Sequence, residues 1–234
     1  MSAYVIVGGS SGIGLELVKS LSAQGHTVYV YARTSNGIEE LPGVHFHVVD
    51  VVSDSPIFLN LPEKIDGLAY LPGSITLAPF GRIKLSQFSD DYRINVLGAV
   101  LVIQACINGL KASGSSGVVL FSTVAAGTGM PYHASIAAAK GAVEALTRSL
   151  AAEFAASGIR FNCIAPSLTD TPLASRLLNS DEKKDASNKR HPLGRYGAPS
   201  ELAQLAAFLI QPMSSWITGQ IMHADGGMSS LKLS

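Results

Sequence analysis

Short apolar runs alternate along this chain with longer stretches of helical periodicity, and that alternation restricts the architecture more than any other feature. AYVIVG (3–8), TVYVYA (27–32), VHFHVVD (44–50), GLAYLPG (67–73), GVVLFST (117–123), IRFNCIA (159–165) and GQIMHADGG (219–227) predict seven strands. The first six are nearly continuous apolar runs, as expected of strands covered on both faces in a parallel sheet. Apolar residues recur at helical spacing through 13–23, 86–111, 135–156 and 199–210. Parallel neighbours need crossover connections, so the pattern predicts an α/β, doubly wound, seven-stranded, mainly parallel sheet with helices on both faces.

No repeat or linker divides the 234 residues, which form one expected domain over 1–234. Between Arg33 and Val44, and between Asp50 and Asp66, there is room only for a turn or a stunted helix. The stretch NSDEKKDASNKR within 171–195 is polar with weak periodicity, and reads either as a solvated surface loop or as a mobile lid over a substrate. Seventeen basic and seventeen acidic residues cancel, which argues against a nucleic acid or a membrane surface as partner. Cys106 and Cys163 both sit in apolar runs, as small hydrophobes of a reducing compartment. With no leader pattern and no run of membrane-spanning length expected, the reading is cytoplasmic.

VGGSSGIG (7–14) directly follows the first strand and opens the first helix. Gly8 permits a tight turn, Gly12 lets backbone approach a phosphate, and Gly14 lets the helix pack on the strand. The turn, including Ser10, Ser11 and Ile13, presents the N–H groups of a helix N-terminus to a pyrophosphate. The end of the second strand then selects the dinucleotide. An acidic residue there would accept bonds from a free ribose hydroxyl, whereas this chain reads YARTS, with Arg33, Thr34 and Ser35. A guanidinium and hydroxyls suit a 2′-phosphate, so NADP(H) is expected over NAD(H). Arg33 also reads as a surface cation at a strand end.

With these motifs placed, the chain from Tyr4 to Gly227 resembles the short-chain dehydrogenase/reductase family, whose fold is Rossmann-like. GGSSGIG resembles the family's glycine motif, HVVDV its adenine-contacting strand end (Asp50, Val51), and YLPGS its Asn-Ala-Gly segment, with Gly73 kept and Pro72 departing. YRINVLGA places Asn95 at the catalytic asparagine. IAPSLTDTP resembles the nicotinamide-holding motif, with Pro166, Thr169 and Thr171, and Ser167 where a glycine is usual. The resemblance implies a Tyr-x-x-x-Lys pair and a hydroxyl thirteen positions before the Tyr. Lys140 matches the lysine and Thr123, beside Ser122, the hydroxyl, but Ile136 stands at the tyrosine position and moves no proton. Helix spacing puts the residue seven before Lys140 near its face, and that residue is His133, at the spacing of the tyrosine in the family's enoyl-reductase branch. Histidine is a competent acid near neutrality, although His133 also reads as a helix-start residue bonded to local backbone. Tyr132, in the preceding loop, is the other candidate. The remaining histidines, His191 among them, show no metal-ligand spacing and read as structural, and no metal is expected.

Two functions compete on these residues. One is an NADP(H)-dependent oxidoreductase reducing a carbonyl or activated alkene with a nonstandard proton donor. In it Lys140 binds the ribose, Asn95 holds a relay water, and Thr123 or Ser122 bonds the small-molecule substrate's oxygen. The other is a catalytically silent NADP-binding sensor or scaffold. Loss of the tyrosine favours the second; retention of Lys140, Asn95 and Thr123 favours the first. The alanine-rich helix 135–156 leaves room for close approach by another helix, and with the resemblance this implies a homo-dimer or homo-tetramer.

Overall fold

The structure, a computed structural model, describes residues 1–53 and 56–232. Asp54 and Ser55, within the short connection expected over 50–66, and Leu233 and Ser234, within the expected 1–234 domain, lie outside the described residues. Strands β1 (Ala3–Val7), β2 (Thr27–Ala32), β3 (Val44–Val48), β4 (Gly67–Tyr70), β5 (Ser116–Phe121), β6 (Ile159–Pro166) and β7 (Ile221–Ala224) form one sheet in the order β3-β2-β1-β4-β5-β6-β7. All six pairings are parallel.

Alternate residues of each strand feed opposite layers, which explains why the strand runs are apolar throughout. Tyr4 and Ile6 of β1 join Leu17, Val18 and Leu21 of helix α1 (Gly12–Ala23) and Leu202, Ala206 and Ile210 of a helix at Pro199–Ile210. Val5 and Val7 point the other way, into a layer with Val102, Cys106 and Leu110 on the helix Gly98–Ser113 and Ala139 and Val143 on Ala134–Phe154. The order reverses between β1 and β4. In a doubly wound sheet, a crevice opens outside the carboxyl ends of the strands at that point.

Several expectations need correction. The single helix expected over 86–111 is α2 (Leu85–Tyr92), a π turn (Arg93–Leu97) and α3 (Gly98–Ser113). The Tyr70 hydroxyl donates to the carbonyl of Ile94 at 2.5 Å, and a Cβ on Gly98 would lie 2.2 Å from that hydroxyl oxygen. A side chain inserted into the ladder widens it locally, and Gly98 makes the room. This 29-residue stretch, Leu85–Ser113, is also long and apolar enough to cross a membrane, contrary to expectation. Half of its most apolar window is buried inside the protein, as in a core helix. A short α4 (Val124–Gly127) follows β5, capped by the Thr123 hydroxyl accepting from the Ala125 N–H. After α5 (Ala134–Phe154), the polar stretch is not a structureless loop. It holds a 3-10 turn (Pro172–Leu177) and α6 (Asp181–Arg190), capped by Ser180, and α7 (Pro199–Ile210) completes the set. Its weak apolar period reflects a helix with little apolar face to bury. Strand β4 stops at Tyr70, just before Leu71 and Pro72, and β7 spans four residues of the nine expected. The stunted connection after β2 is a 3-10 turn at Ile38–Glu40, as the spacing predicts.

Gly14 fixes how α1 meets β1: a Cβ there would sit 2.2 Å from the carbonyl oxygen of Gly8. Gly14→Ala is therefore expected to push α1 off the strand end and lower unfolding free energy by about 1–3 kcal/mol, read by urea denaturation.

Candidate functional site

A cavity of about 880 Å³ opens at the carboxyl ends of the central strands. The turn between β1 and α1 forms its floor. Gly12 is left-handed (φ 53°), and no side chain caps the N-terminus of α1, whose first turn carries no acidic residue. The helix thus offers free N–H groups and a positive dipole end to an anion. Every residue singled out as cofactor-binding lines this one cavity: Gly8, Ser10, Ser11, Gly12, Ile13, Gly14, Arg33, Thr34, Asp50, Val51, Pro72, Gly73, Lys140, Pro166, Thr169 and Thr171. An uncapped helix end, glycines without bulk and the cation Arg33 make a lining that fits a dinucleotide phosphate. Asn36 joins them without having been singled out. It is left-handed (φ 52°), and its amide donates to the Ser10 carbonyl at 2.9 Å, tying the turn after β2 to the glycine turn. The Asn36-Gly37 pair was the signal for it.

The other end of the cavity gathers Ser122, Thr123, His133, Ile136 and Lys140. Lys140 is buried, and its ammonium donates to the carbonyl of Phe121 at 2.7 Å. Burial pulls its pKa down to about 8, against the opposing pull of the Asp91 carboxylate. Near neutral pH it remains protonated and a donor. Ser122 and Thr123 face different partners. The Ser122 hydroxyl donates to Glu144 at 2.7 Å, whereas Thr123 accepts from the Ala125 N–H and keeps its own proton for another acceptor. His133 stands at the start of α5, with Nδ1 2.6 Å from the Pro131 carbonyl. A carbonyl only accepts, so Nδ1 bears the proton and Nε2 is the atom free to exchange one. Both readings of His133 hold at once: it bonds local backbone and it lines the cavity.

Tyr132 and Asn95 stand differently. Tyr132 is 60% exposed, in a left-handed conformation (φ 70°), and is absent from the cavity lining. Asn95 lies in the π turn, buried behind the wall. Its amide donates to the Asp91 carbonyl at 2.8 Å and to the Ser74 hydroxyl at 3.1 Å, while its Oδ1 has no partner. A Cβ on Gly73 would lie 3.2 Å from that oxygen and 3.5 Å from Lys140 Nζ, so the bare glycine leaves a polar gap between the two. His191, read as structural, bonds the Ser187 carbonyl through Nδ1 (2.7 Å) and the Ser167 hydroxyl through Nε2 (2.8 Å), and it also lines the cavity.

Sequence reasoning missed Asp91. It is 1% exposed, and its carboxylate accepts from Ser74, from Thr76 (3.3 Å) and from Ser135 (2.6 Å). It thereby joins the segment after β4, α2 and the start of α5 behind Lys140. Its spacing four before Asn95 was the only signal, because its partners come from distant segments. Asp91→Ala takes the acceptor from the half-buried Ser74 and Thr76 hydroxyls and leaves the buried Ser135 hydroxyl only its longer bond to the Gln87 carbonyl (3.3 Å). It is expected to lower unfolding free energy by about 1–3 kcal/mol, measured by chemical denaturation.

Comparison with known proteins agrees with this geometry. The family described as Enoyl-(Acyl carrier protein) reductase matches residues 7–229. A tropinone reductase homolog of Arabidopsis thaliana is 33% identical over 240 residues, covering 96% of this chain and 92% of that protein. A solved short chain dehydrogenase/reductase family protein superposes with a TM-score of 0.87 at 30% identity, covering 98% of both chains. A gluconate 5-dehydrogenase from Burkholderia cenocepacia, in complex with NADP and tartrate, gives a TM-score of 0.90 at 28% identity, covering 99% of this chain and 96% of that one. The match over nearly the whole chain, with its parallel sheet and glycine turn, shows that this chain belongs to the short-chain dehydrogenase/reductase family.

Proposed function

We propose that this protein is an NADP(H)-dependent oxidoreductase that reduces the carbonyl or activated alkene of a small molecule, with His133 as the proton donor. The observation behind this reading is that Lys140, Thr123 and His133 line the same cavity as the glycine turn. NADPH, when bound, supplies the hydride. The chain's residues do the rest. The uncapped N–H groups of α1 hold the pyrophosphate, and Arg33, with Thr34 beside it, favours the extra 2′-phosphate over a bare ribose, whereas the Ser35 hydroxyl donates to Glu39 (2.8 Å). That a family neighbour is described in complex with NADP supports this choice.

Lys140 gives one proton to the Phe121 carbonyl and keeps others for the nicotinamide ribose. The Thr123 hydroxyl, unlike the Ser122 hydroxyl committed to Glu144, is free to donate to the substrate oxygen. With Nδ1–H anchored on Pro131, an imidazolium at His133 delivers its Nε2 proton to the reduced substrate and is left neutral. Water in the gap beside Gly73, held by Asn95 Oδ1 and Lys140 Nζ, is the route by which that end of the site exchanges protons. The segment 171–195 serves as the lid. Leu97 and Leu101, exposed on the long helix, and the small residues of α5 suit pairing with a second copy in a homo-dimer or homo-tetramer.

Two measurements test the reading. Arg33→Ala is expected to weaken NADPH binding by about 1.5–3 kcal/mol while leaving NADH binding unchanged, by fluorescence titration with each cofactor. In NADPH oxidation over panels of carbonyls and enones, the native protein is expected to turn over, and His133→Ala to lose at least about tenfold in kcat, with Tyr132→Phe unaffected. Tight NADPH binding without turnover on any compound would replace the reductase with a silent sensor or scaffold.

A further inference from the structure

Helix α6 was singled out by its charge, and its charges are sorted by face. Lys183, Ala186, Ser187 and Arg190 line the cavity, at positions i, i+3, i+4 and i+7, one stripe of the helix. All three of its carboxylates, Asp181, Glu182 and Asp185, fall off that stripe. The two inward cations have no carboxylate partner among the described residues. Lys183 Nζ donates to the Arg176 carbonyl (3.0 Å) and to Asn179 Oδ1 (2.7 Å), and Arg190 donates to the Ser187 hydroxyl (3.0 Å). Lys184, off the stripe, does have an acidic neighbour, Asp181 at 3.7 Å.

The cavity wall carries the same imbalance. Its only carboxylate among the described residues is Asp50, after edge strand β3, whereas α6 follows β6. These strands are five steps apart in the sheet, about 24 Å at the usual strand spacing. Asp91 lies behind the wall, its oxygens taken by Ser74, Thr76 and Ser135. In a chain whose formal charge is zero, the α6 side of the cavity thus has two cations and no wall carboxylate to answer them.

We propose that the substrate is an anion, a small carbonyl compound whose carboxylate or phosphate is held by Lys183 and Arg190 while its carbonyl reaches Thr123 and His133. A planar guanidinium beside an ammonium suits either oxyanion: Arg190 offers paired N–H donors, and Lys183 adds a point charge. Both cations stand at the exposed mouth, so they also draw anions toward the site in a salt-dependent way. This inference rests on the reductase reading for turnover, but not for binding.

The experiment has two arms on the full chain saturated with NADPH. The first compares kcat/KM within matched pairs: acetoacetate against its ethyl ester, and dihydroxyacetone phosphate against dihydroxyacetone. The charged member is expected to be favoured at least about 30-fold in at least one pair, and the pair that shows it identifies carboxylate or phosphate. Lys183→Gln/Arg190→Gln is expected to remove that preference by lowering kcat/KM on the charged member at least about 30-fold more than on the neutral one, while the control Lys184→Gln/Lys189→Gln removes the same charge from off the stripe and keeps the preference. The second arm measures calorimetric binding of acetoacetate and of dihydroxyacetone phosphate, which needs no turnover. Binding that the inward double variant abolishes upholds the anion site even if the reductase reading fails. Turnover without preference for either anion, or no anion binding at millimolar concentration, overturns the proposal. So does a double variant that weakens NADPH binding but keeps the preference, since it would assign both cations to the cofactor.

Discussion

Parallel strands cannot be joined by hairpins, and from that restriction most of this molecule follows. Each return to the sheet crosses a face, so both faces are covered and every strand must be apolar on both sides. Tyr4 and Ile6 pack under α1 and α7 while Val5 and Val7 pack under α3 and α5. The carboxyl ends are left as the open rim, and the reversal between β1 and β4 parts the crossovers there. The cavity lies where the topology leaves it.

Within that rim, the burial of charge is arranged asymmetrically. Lys140 is carried inside on a helix of small residues and answered by a backbone carbonyl, with Asp91 behind it and held by hydroxyls. An ammonium in such surroundings gives up its proton more readily than one in water, yet keeps it at neutral pH. Lys183 and Arg190 of α6 are exposed and have no carboxylate partner among the described residues. Buried charge is compensated from within the protein, and charge at the mouth is left for a ligand.

The π turn shows how one side chain reshapes a helix for the site. Tyr70, at the end of β4, takes the Ile94 carbonyl, and Gly98 gives way to it. The widened turn carries Asn95 with its amide spent on Asp91 and Ser74 and its Oδ1 turned to the gap beside Gly73. An unbroken α-helix over the same residues would not have placed it so.

Period and motif were enough to determine the sheet, the helices on both faces, the glycine turn and the set of residues around the dinucleotide crevice, because each depends on local spacing or on strand ends that the topology brings together. Lys140, Ile136 and His133 were legible for the same reason, being turns of one helix. What only the tertiary structure decided were the choices between neighbours. Ser122 is bonded to Glu144 while the Thr123 hydroxyl keeps its proton, Tyr132 is turned to solvent, Asp91 gathers hydroxyls from segments 15 to 44 residues away, and α6 turns Lys183 and Arg190 to the cavity. These depend on contacts between residues far apart in the chain, and no local period encodes which hydrogen-bond partner a side chain will meet once the helices are packed.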